Sequence, residues 1–420
     1  MRYHICCALL IAAAFSGVHL LAQSGDASLP ASVSLADVLK LLEERSPRTA
    51  AEQSTIAVAE ADRITARTYP NPNLSYGGTR LVSGLSTGAV TQHQLVLEQP
   101  LLLFHQRDAR LQNADAGVKV EQARVREEMA DRRLAVRQAF ASLLSRQEQL
   151  QIVQDSLANM DRIQGLVRAR ASAGDRSQYE VLRVELETES LRVEVMNASA
   201  DVDDTSGQLA ALLGFPGWQP RGIGPLTAGD VSTDVATLWT TAEQRRPSLV
   251  ALREQQVAAH GGLFLAQRER LPVPAVSGGV QTTRDVNGTS AFFGFSLPLN
   301  LFDRNQGAIA KAQAQIGAAD LELQAATAEA HAEVERVALV LEKRRAAMQT
   351  FEGSVSDRVP TLRRMAEAAY QEGSADILEL LDANRSLKDY QLTRVQQLEA
   401  VKLAEESVVS AAGLDEEDAR

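Results

Sequence analysis

The chain has 420 residues, with 43 basic against 54 acidic side chains, a net charge of −11, 45% hydrophobic residues and 23% charged ones. This balance excludes a disordered chain, and without a Lys/Arg-rich run there is nothing to track a nucleic-acid backbone. Aromatic residues make up only 4%, so long helices rich in Ala, Leu, Val, Glu, Gln and Arg, rather than a wide mixed core, are expected to give an elongated molecule.

Residues 1–22 read as a secretory signal peptide, because Arg2 precedes an apolar stretch from Ile5 to Ala22. A membrane anchor is the other reading of that stretch. Cys6 and Cys7, the only cysteines, lie inside it. The cleaved chain then has no disulfide or thiolate ligand, as befits a bacterial envelope protein. No later segment approaches the ~20 apolar residues of a spanning helix. Crossing a membrane would therefore require a β-barrel, the other structure that satisfies its own backbone in lipid. Residues 23–33 form an N-terminal linker.

From residue 34 the chain reads the same way twice, over 34–214 and 232–414, with a linker at 215–231 and a tail at 415–420. Each repeat runs helix, Pro-x-Pro, hairpin, Pro, very long helix, Gly turn, helix. Ser46-Pro47 pairs with Arg246-Pro247, Pro70 and Pro72 with Pro272 and Pro274, and Pro100 with Pro298. Gly174 pairs with Gly373, and Leu213-Gly214 with Ala412-Gly413. One helix is expected from about Ser34, a good N-cap, to Thr68, and its counterpart from about Ser232 to Arg270. The Pro-x-Pro pairs stop both, since proline removes a donor and biases the preceding residue toward extended geometry. Hairpins are expected at about 73–99 and 275–297, the second turning at Asp285-Val286-Asn287-Gly288. Four strands per chain are too few to close a barrel.

Long helices follow at about 104–170 and 302–371. Met129, Val136, Leu143, Leu150 and Leu157 recur every seven residues, joined by Ala139, Val153, Met160 and Val167. The second repeat carries Val334, Val337, Leu341, Met348, Val355, Leu362 and Ala369. A seven-residue stripe means supercoiling against partner helices. A solitary coiled-coil stalk would have no use for the hairpins. Pro360 interrupts the second long helix where the first has Asp161, so the repeats should differ there.

His93, His105, His260 and His331 offer no pair at helical ligand spacing and have no Cys to assist. They read as surface or packing residues. No Gly-x-Ser-x-Gly, P-loop or HExxH motif is present. The sequence therefore points away from an enzyme, and neither a cofactor nor a metal site is expected.

The signal peptide, the duplicated hairpins behind Pro-x-Pro and the heptad arms together resemble the TolC-like outer-membrane efflux protein family over nearly the whole mature length. Phe302-Asp303-Arg304-Asn305-Gln306-Gly307 with Ala308 to Ala312, and the segment from Tyr370 to Asp382, resemble its CzcC-type branch, which serves heavy-metal efflux. The resemblance implies an α+β membrane protein located in the outer membrane with a long periplasmic extension. A homotrimer would close one transmembrane β-barrel, four strands per chain, and continue it as a long α-helical barrel. The prolines at 70, 72, 100, 272, 274 and 298 would mark the barrel/helix junctions. Ala173-Gly174-Asp175 and Glu372-Gly373-Ser374 would be periplasmic tips that dock an adaptor, although each glycine also reads as a helix C-cap.

Glu379 and Asp382, three apart on one helical face, match the family's acidic ring at the closed tunnel entrance. Threefold symmetry would make them a cation-selective gate. A solvated helix face is the other reading. The first repeat has Glu180 but Arg183, so it cannot build the same ring. The function implied is the exit duct of a tripartite system, with a periplasmic adaptor, an inner-membrane RND transporter and outer-membrane lipid as partners and heavy-metal cations as cargo. The rivals are a duct for drugs or other small organic molecules, and a periplasmic adaptor or structural coiled coil.

Overall fold

The computed structural model describes residues 29–84, 91–173, 177–284, 288–355 and 358–414. The signal peptide, the turn of the first hairpin, Gly174 and Asp175 of the first tip, Asp285 to Asn287 of the second turn and the 415–420 tail lie outside the described residues.

The first repeat runs β1 (Ser32–Val33), α1 (Leu35–Glu44), α2 (Pro47–Arg67), β2 (Asn73–Arg80), β3 (Thr91–Pro100), α3 (Gln106–Ser172) and α4 (Gln178–Leu213). The second follows the same order with β4 (Arg221–Gly222), α5 (Val235–Arg245), α6 (Pro247–Glu269), β5 (Ala275–Thr283), β6 (Gly288–Ser296), α7 (Gln306–Val355), α8 (Arg358–Glu372) and α9 (Ile377–Ala412).

The single helices expected over 34–68 and 232–270 are in each case two. Ser46 and Arg246 take ψ of 123° and 120° ahead of Pro47 and Pro247, because a residue before proline is pushed out of the helical region. Ser34 forms a capping box with Asp37. In the second repeat Asp234, rather than Ser232, caps α5 through its bond to the Thr237 N–H.

The landmark residues of each repeat meet in space. Gly214 and Gly413 end α4 and α9 with φ of 80° and 63°, the left-handed region open to glycine. A Cβ on Gly214 would stand 3.3 Å from the Pro47 ring, and one on Gly413 would stand 2.9 Å from the Arg246 backbone. Each repeat's last helix thus ends against the start of its own α2 or α6.

Two sheets join the repeats. β1 pairs with β4 in parallel, and the four longer strands form an antiparallel sheet in the order β2-β3-β5-β6. On the sheet side the helices pack side by side as α2, α3, α6 and α7; on the other side the row is α4, α3, α9 and then α7 with α8. Equivalent apolar clusters fill both repeats, Val125, Met129, Val136, Phe140 and Leu143 with α1 and the end of α4, and Val334, Val337, Leu341 and Met348 with α5 and the end of α9. A third cluster joins α3, α4, α8 and α9 through Met160, Ile163, Val167, Val184, Tyr370 and Leu380.

Leu362 departs from the expected heptad stripe. It is half exposed beside the exposed Met365 on α8, whose buried contact to the bundle runs through Tyr370 instead. Pro360 is the third residue of α8, and residues 356–357 just before that helix lie outside the described residues. Among the described residues no helix is long and apolar enough to cross a membrane.

Candidate channel wall and gate

Residues paired directly across antiparallel strands point to the same face, so the register sorts the sheet into two surfaces. One holds the row Leu74, Leu97, Gly278, Phe293, the row Tyr76, Leu95, Val280, Ala291, and the pair Val276 and Phe295. The other holds Ser75, Gln94, Glu98, Ser277, Gln281 and Ser290. The apolar face is uncovered: Phe293 is 94% exposed and Phe295 65%. Phe292 lies on the polar face, directly across from Gly279, where an added Cβ would come within 2.7 Å of the Phe292 ring. Glycine there lets the ring lie flat across the strand. β2 and β6 carry the sheet's two unpaired edges.

The prolines flanking the sheet are gathered by glutamines. The Gln99 amide donates to the carbonyls of Pro70 and Pro100, both at 2.9 Å, and the Leu101 N–H donates to Pro274 at 2.7 Å. Gln106 is fully buried; its Oε1 accepts the Phe104 N–H at 2.9 Å and its amide reaches the Pro272 carbonyl at 3.4 Å. Gln306 accepts the Arg304 N–H at 2.7 Å in the same way, and His105 and Asn305 before the two glutamines share φ of 60° and 58°. Pro72 and Pro298 flank the edge strands instead. Gln99 and Gln106 were not singled out in the sequence; Asn305 and Gln306 were read there only as part of the 302–307 segment and His105 only as one of the histidines, and the one signal of their shared role is a matched Gln at the head of each long helix.

At the opposite end of the helices, Ala173 caps α3 and Gly373, with φ of 77°, ends α8. The Ser374 N–H bonds the Ala369 carbonyl at 2.9 Å. Asp376 caps α9 by accepting the Glu379 N–H at 3.0 Å. Glu379 and Asp382 are exposed on one face of α9, while Ile377, Leu380 and Leu381 are buried on the other. Several ties hold this end of α9 and α8 to the first repeat. Asn159 donates to Asn384 at 2.6 Å within the interior. Arg385 donates to both oxygens of Glu187 at 2.8 and 2.9 Å, and Lys388 to Glu194 at 2.6 Å. The bond to Glu187 raises the Arg385 guanidinium above its ordinary value. Tyr370 donates its hydroxyl to Glu180 at 3.3 Å, and Arg170 donates to the carbonyls of Tyr370 and Gln371. Glu180 of the first repeat, unmatched as a ring residue, is therefore a partner of the second.

Three carboxylates farther along α9 are buried. Glu399 accepts the Ser145 hydroxyl at 2.7 Å, and Glu406 meets Arg137 at 3.3 Å and Lys402 at 2.9 Å. Glu405, 1% exposed, accepts the Gly229 N–H at 2.8 Å and Arg345 at 3.0 Å; Arg345 also donates to the carbonyls of Val231 and Gly229. The linker between the repeats is thus strapped to α7 and α9. On α3, Glu127 and Asp131 are both raised above the ordinary carboxylate range. Desolvation is the main cause for each, followed by Asp131 for Glu127 and by Glu128 for Asp131.

A cavity of about 1030 Å³ lies among α2, α3, α6 and α7, lined by alanines and by Asp62, Arg110, Asn113, Gln255 and Glu322. Of the histidines, His93 stacks on Tyr76, His105 meets Asp108 at 2.8 Å and His331 packs edge-on to Trp239, while His260 is exposed. Among the described residues no group of three or more His, Cys, Asp or Glu side chains is placed to hold a metal ion. The arrangement suits a wall rather than a reaction centre, being a sheet apolar on one side and polar on the other, continued by long helices with charged groups at the far end.

The outer membrane efflux protein family model matches residues 38–215 and 238–414. The cobalt-zinc-cadmium resistance protein CzcC of Cupriavidus metallidurans is 26% identical over 78% of this chain and 77% of its own length. The nickel-cobalt-cadmium resistance protein NccC of Alcaligenes xylosoxydans is 24% identical over 68% of this chain and 65% of its own length. Among solved structures, a membrane protein from Pseudomonas aeruginosa superposes with a TM-score of 0.74 at 20% identity, covering 90% of this chain and 92% of that one.

Proposed function

From the premise that the chain belongs to the outer membrane efflux protein family and is an outer-membrane efflux channel, we propose that three copies close one barrel and one helical tunnel, through which heavy-metal cations leave the cell. The observation that carries this reading is the sheet: a lipid-compatible face, a polar face and two open edges in a single chain. An apolar exterior and polar interior are what a transmembrane barrel requires. The two edges are different strands, so closure is head to tail and generates a ring.

The helices support the same closure. α4 exposes Tyr179, Leu182, Leu186, Val193 and Met196, spaced as a heptad seam, and α8 at the other flank of the row exposes Leu362 and Met365. In a ring the α4 seam of one copy covers the α8 flank of the next. Glu379 and Asp382 then gather near the axis as a cation-selective constriction. The turns at 173–175 and 372–374 meet a periplasmic adaptor that links the duct to an inner-membrane RND transporter. Choice among metals falls to that transporter.

Heavy-metal cargo is supported by the relatives named for cobalt, zinc, cadmium and nickel resistance. A strain lacking the gene should become sensitive to those salts and recover on complementation. Sensitivity confined to organic antibacterials would replace the cargo and leave the duct. Assembly is tested by extraction: a heat-modifiable trimer soluble only in detergent is expected, and a monodisperse, detergent-free monomer would defeat the barrel.

A further inference from the structure

Toward the hairpin turns the apolar face of the sheet ends within one row. Beyond Tyr76, Leu95, Val280 and Ala291 comes a row with His93 and Thr282 on adjacent strands, and beyond that Arg80 opposite Thr91. The Arg284 N–H donates to the Thr91 carbonyl at 3.0 Å, extending the ladder by one residue. Arg80 and Arg284 therefore rise from the strands on either side of Thr91, about 10 Å apart at a strand spacing of ~4.8 Å.

Both arginines are exposed, and neither has a carboxylate partner among the described residues. The one acid of the four strands, Glu98, stands on the opposite face. Below the arginines the Tyr76 hydroxyl and His93 Nδ1 lie 2.7 Å apart with their rings stacked. This fixes the imidazole and leaves its other nitrogen for an outside partner. In a chain of net charge −11, elsewhere rich in Arg–carboxylate pairs, two guanidiniums with no carboxylate partner among the described residues, at the rim of an uncovered apolar face, suit negative charge from outside the chain.

We propose that Arg80 and Arg284, with His93 beneath them, bind the phosphorylated headgroup of an outer-leaflet lipid whose acyl chains lie along the Leu74, Leu97 and Phe293 row. The turn end of the sheet points away from the helices, which places this row at the outer leaflet. Guanidinium forks match phosphate oxygens, and apolar contact just below them distinguishes a lipid from a free anion. The inference rests on the apolar face being the lipid face.

The test uses the full-length protein reconstituted in phosphatidylcholine vesicles containing a minor fraction of lipid A, a bis-phosphorylated glycolipid, with the lipids retained by the assembled protein identified by native mass spectrometry. Wild type should retain lipid A over phosphatidylcholine. Arg80→Gln with Arg284→Gln should reduce that preference on the order of 30-fold, the equivalent of about 1 kcal/mol per arginine at an anionic surface. Arg80→Lys with Arg284→Lys should keep most of it, and all variants should migrate as the wild-type assembly. Undiminished preference in the double glutamine variant overturns the site, as does displacement of lipid A by an equal concentration of inorganic phosphate. Failure of the wild type to enter vesicles of any composition would instead overturn the lipid-facing sheet and the site with it.

Discussion

Glu405→Ala should free the strap between the repeats while leaving the helices in place. The carboxylate is 1% exposed, accepts hydrogen bonds from the Gly229 N–H and Arg345, and has Lys402, itself paired with Glu406 at 2.9 Å, at 3.8 Å. Removing one member of a buried ion pair costs about 3–5 kcal/mol when the survivor is stranded. Arg345 is not fully stranded, because its side chain is 23% exposed and keeps the carbonyls of Val231 and Gly229. The local loss is then about 2–3 kcal/mol, which corresponds to roughly 30- to 150-fold in a local opening equilibrium. Hydrogen exchange reads this directly, since the Gly229 amide is one of the groups released. Its exchange should accelerate by that factor, and Glu405→Gln, which keeps an acceptor and loses only the charge, should produce a smaller change. Unchanged exchange at Gly229 in the alanine variant would refute the reasoning and assign the strap to apolar anchors such as Leu226 and Val231, both largely buried.

Three further outcomes are expected. Phe293→Asp should lower the level of protein in the outer membrane, since it puts a charge on the proposed lipid face, whereas Phe292→Ser on the polar face should not; equal levels for the two would contradict the assignment of faces. Glu379→Ala with Asp382→Ala should leave the proposed trimer intact and weaken block of the reconstituted channel by multivalent cations from the periplasmic side; undiminished block would make the two acids merely solvent-facing. The raised values of Glu127 and Asp131 mean that the folded protein holds protons which the unfolded chain has already released, so their contribution favours folding at acid pH and is lost as pH rises through the folded values. Glu127→Gln with Asp131→Asn should therefore flatten the fall in thermal midpoint between mildly acidic and neutral pH, and an unaltered slope would remove these acids as its source.

Residues whose backbone or packing demands are unusual proved the readable ones. Proline and glycine at matched positions in the two halves marked helix ends and strand boundaries, but the breaks ahead of Pro47 and Pro247 were read through as single helices. In three dimensions Gly214 closes on Pro47 and Gly413 on Arg246. Of the seven-residue apolar stripe, Met129, Val136, Leu143, Val153, Met160 and Val167 are buried, while Ala139, Leu150 and Leu157 are only partly so. Polar residues were opaque for a physical reason. A glutamate in an amphipathic helix is ordinarily a solvent residue, and nothing local separates Glu405, buried against Arg345, from Glu379, which is exposed. The partners that decide between them are supplied by other helices. Gln106 and Gln306 were hidden in the same way, since their role depends on where a distant proline or a neighbouring N–H comes to rest. Leu362 kept the period of the stripe but not its environment, because in α8 the bundle is met by Tyr370.

The two unlike edges of the sheet bear on inheritance as well as on assembly. In the proposed ring each copy gives its β2 edge to one neighbour and its β6 edge to the other, so a single chain with a damaged edge leaves one unsealed seam however sound its companions are. A cell making intact and edge-damaged copies together would assemble sealed rings only when all three members are intact. Such alleles would behave as dominant in mixed populations, whereas alleles that merely prevent a chain from folding would be recessive.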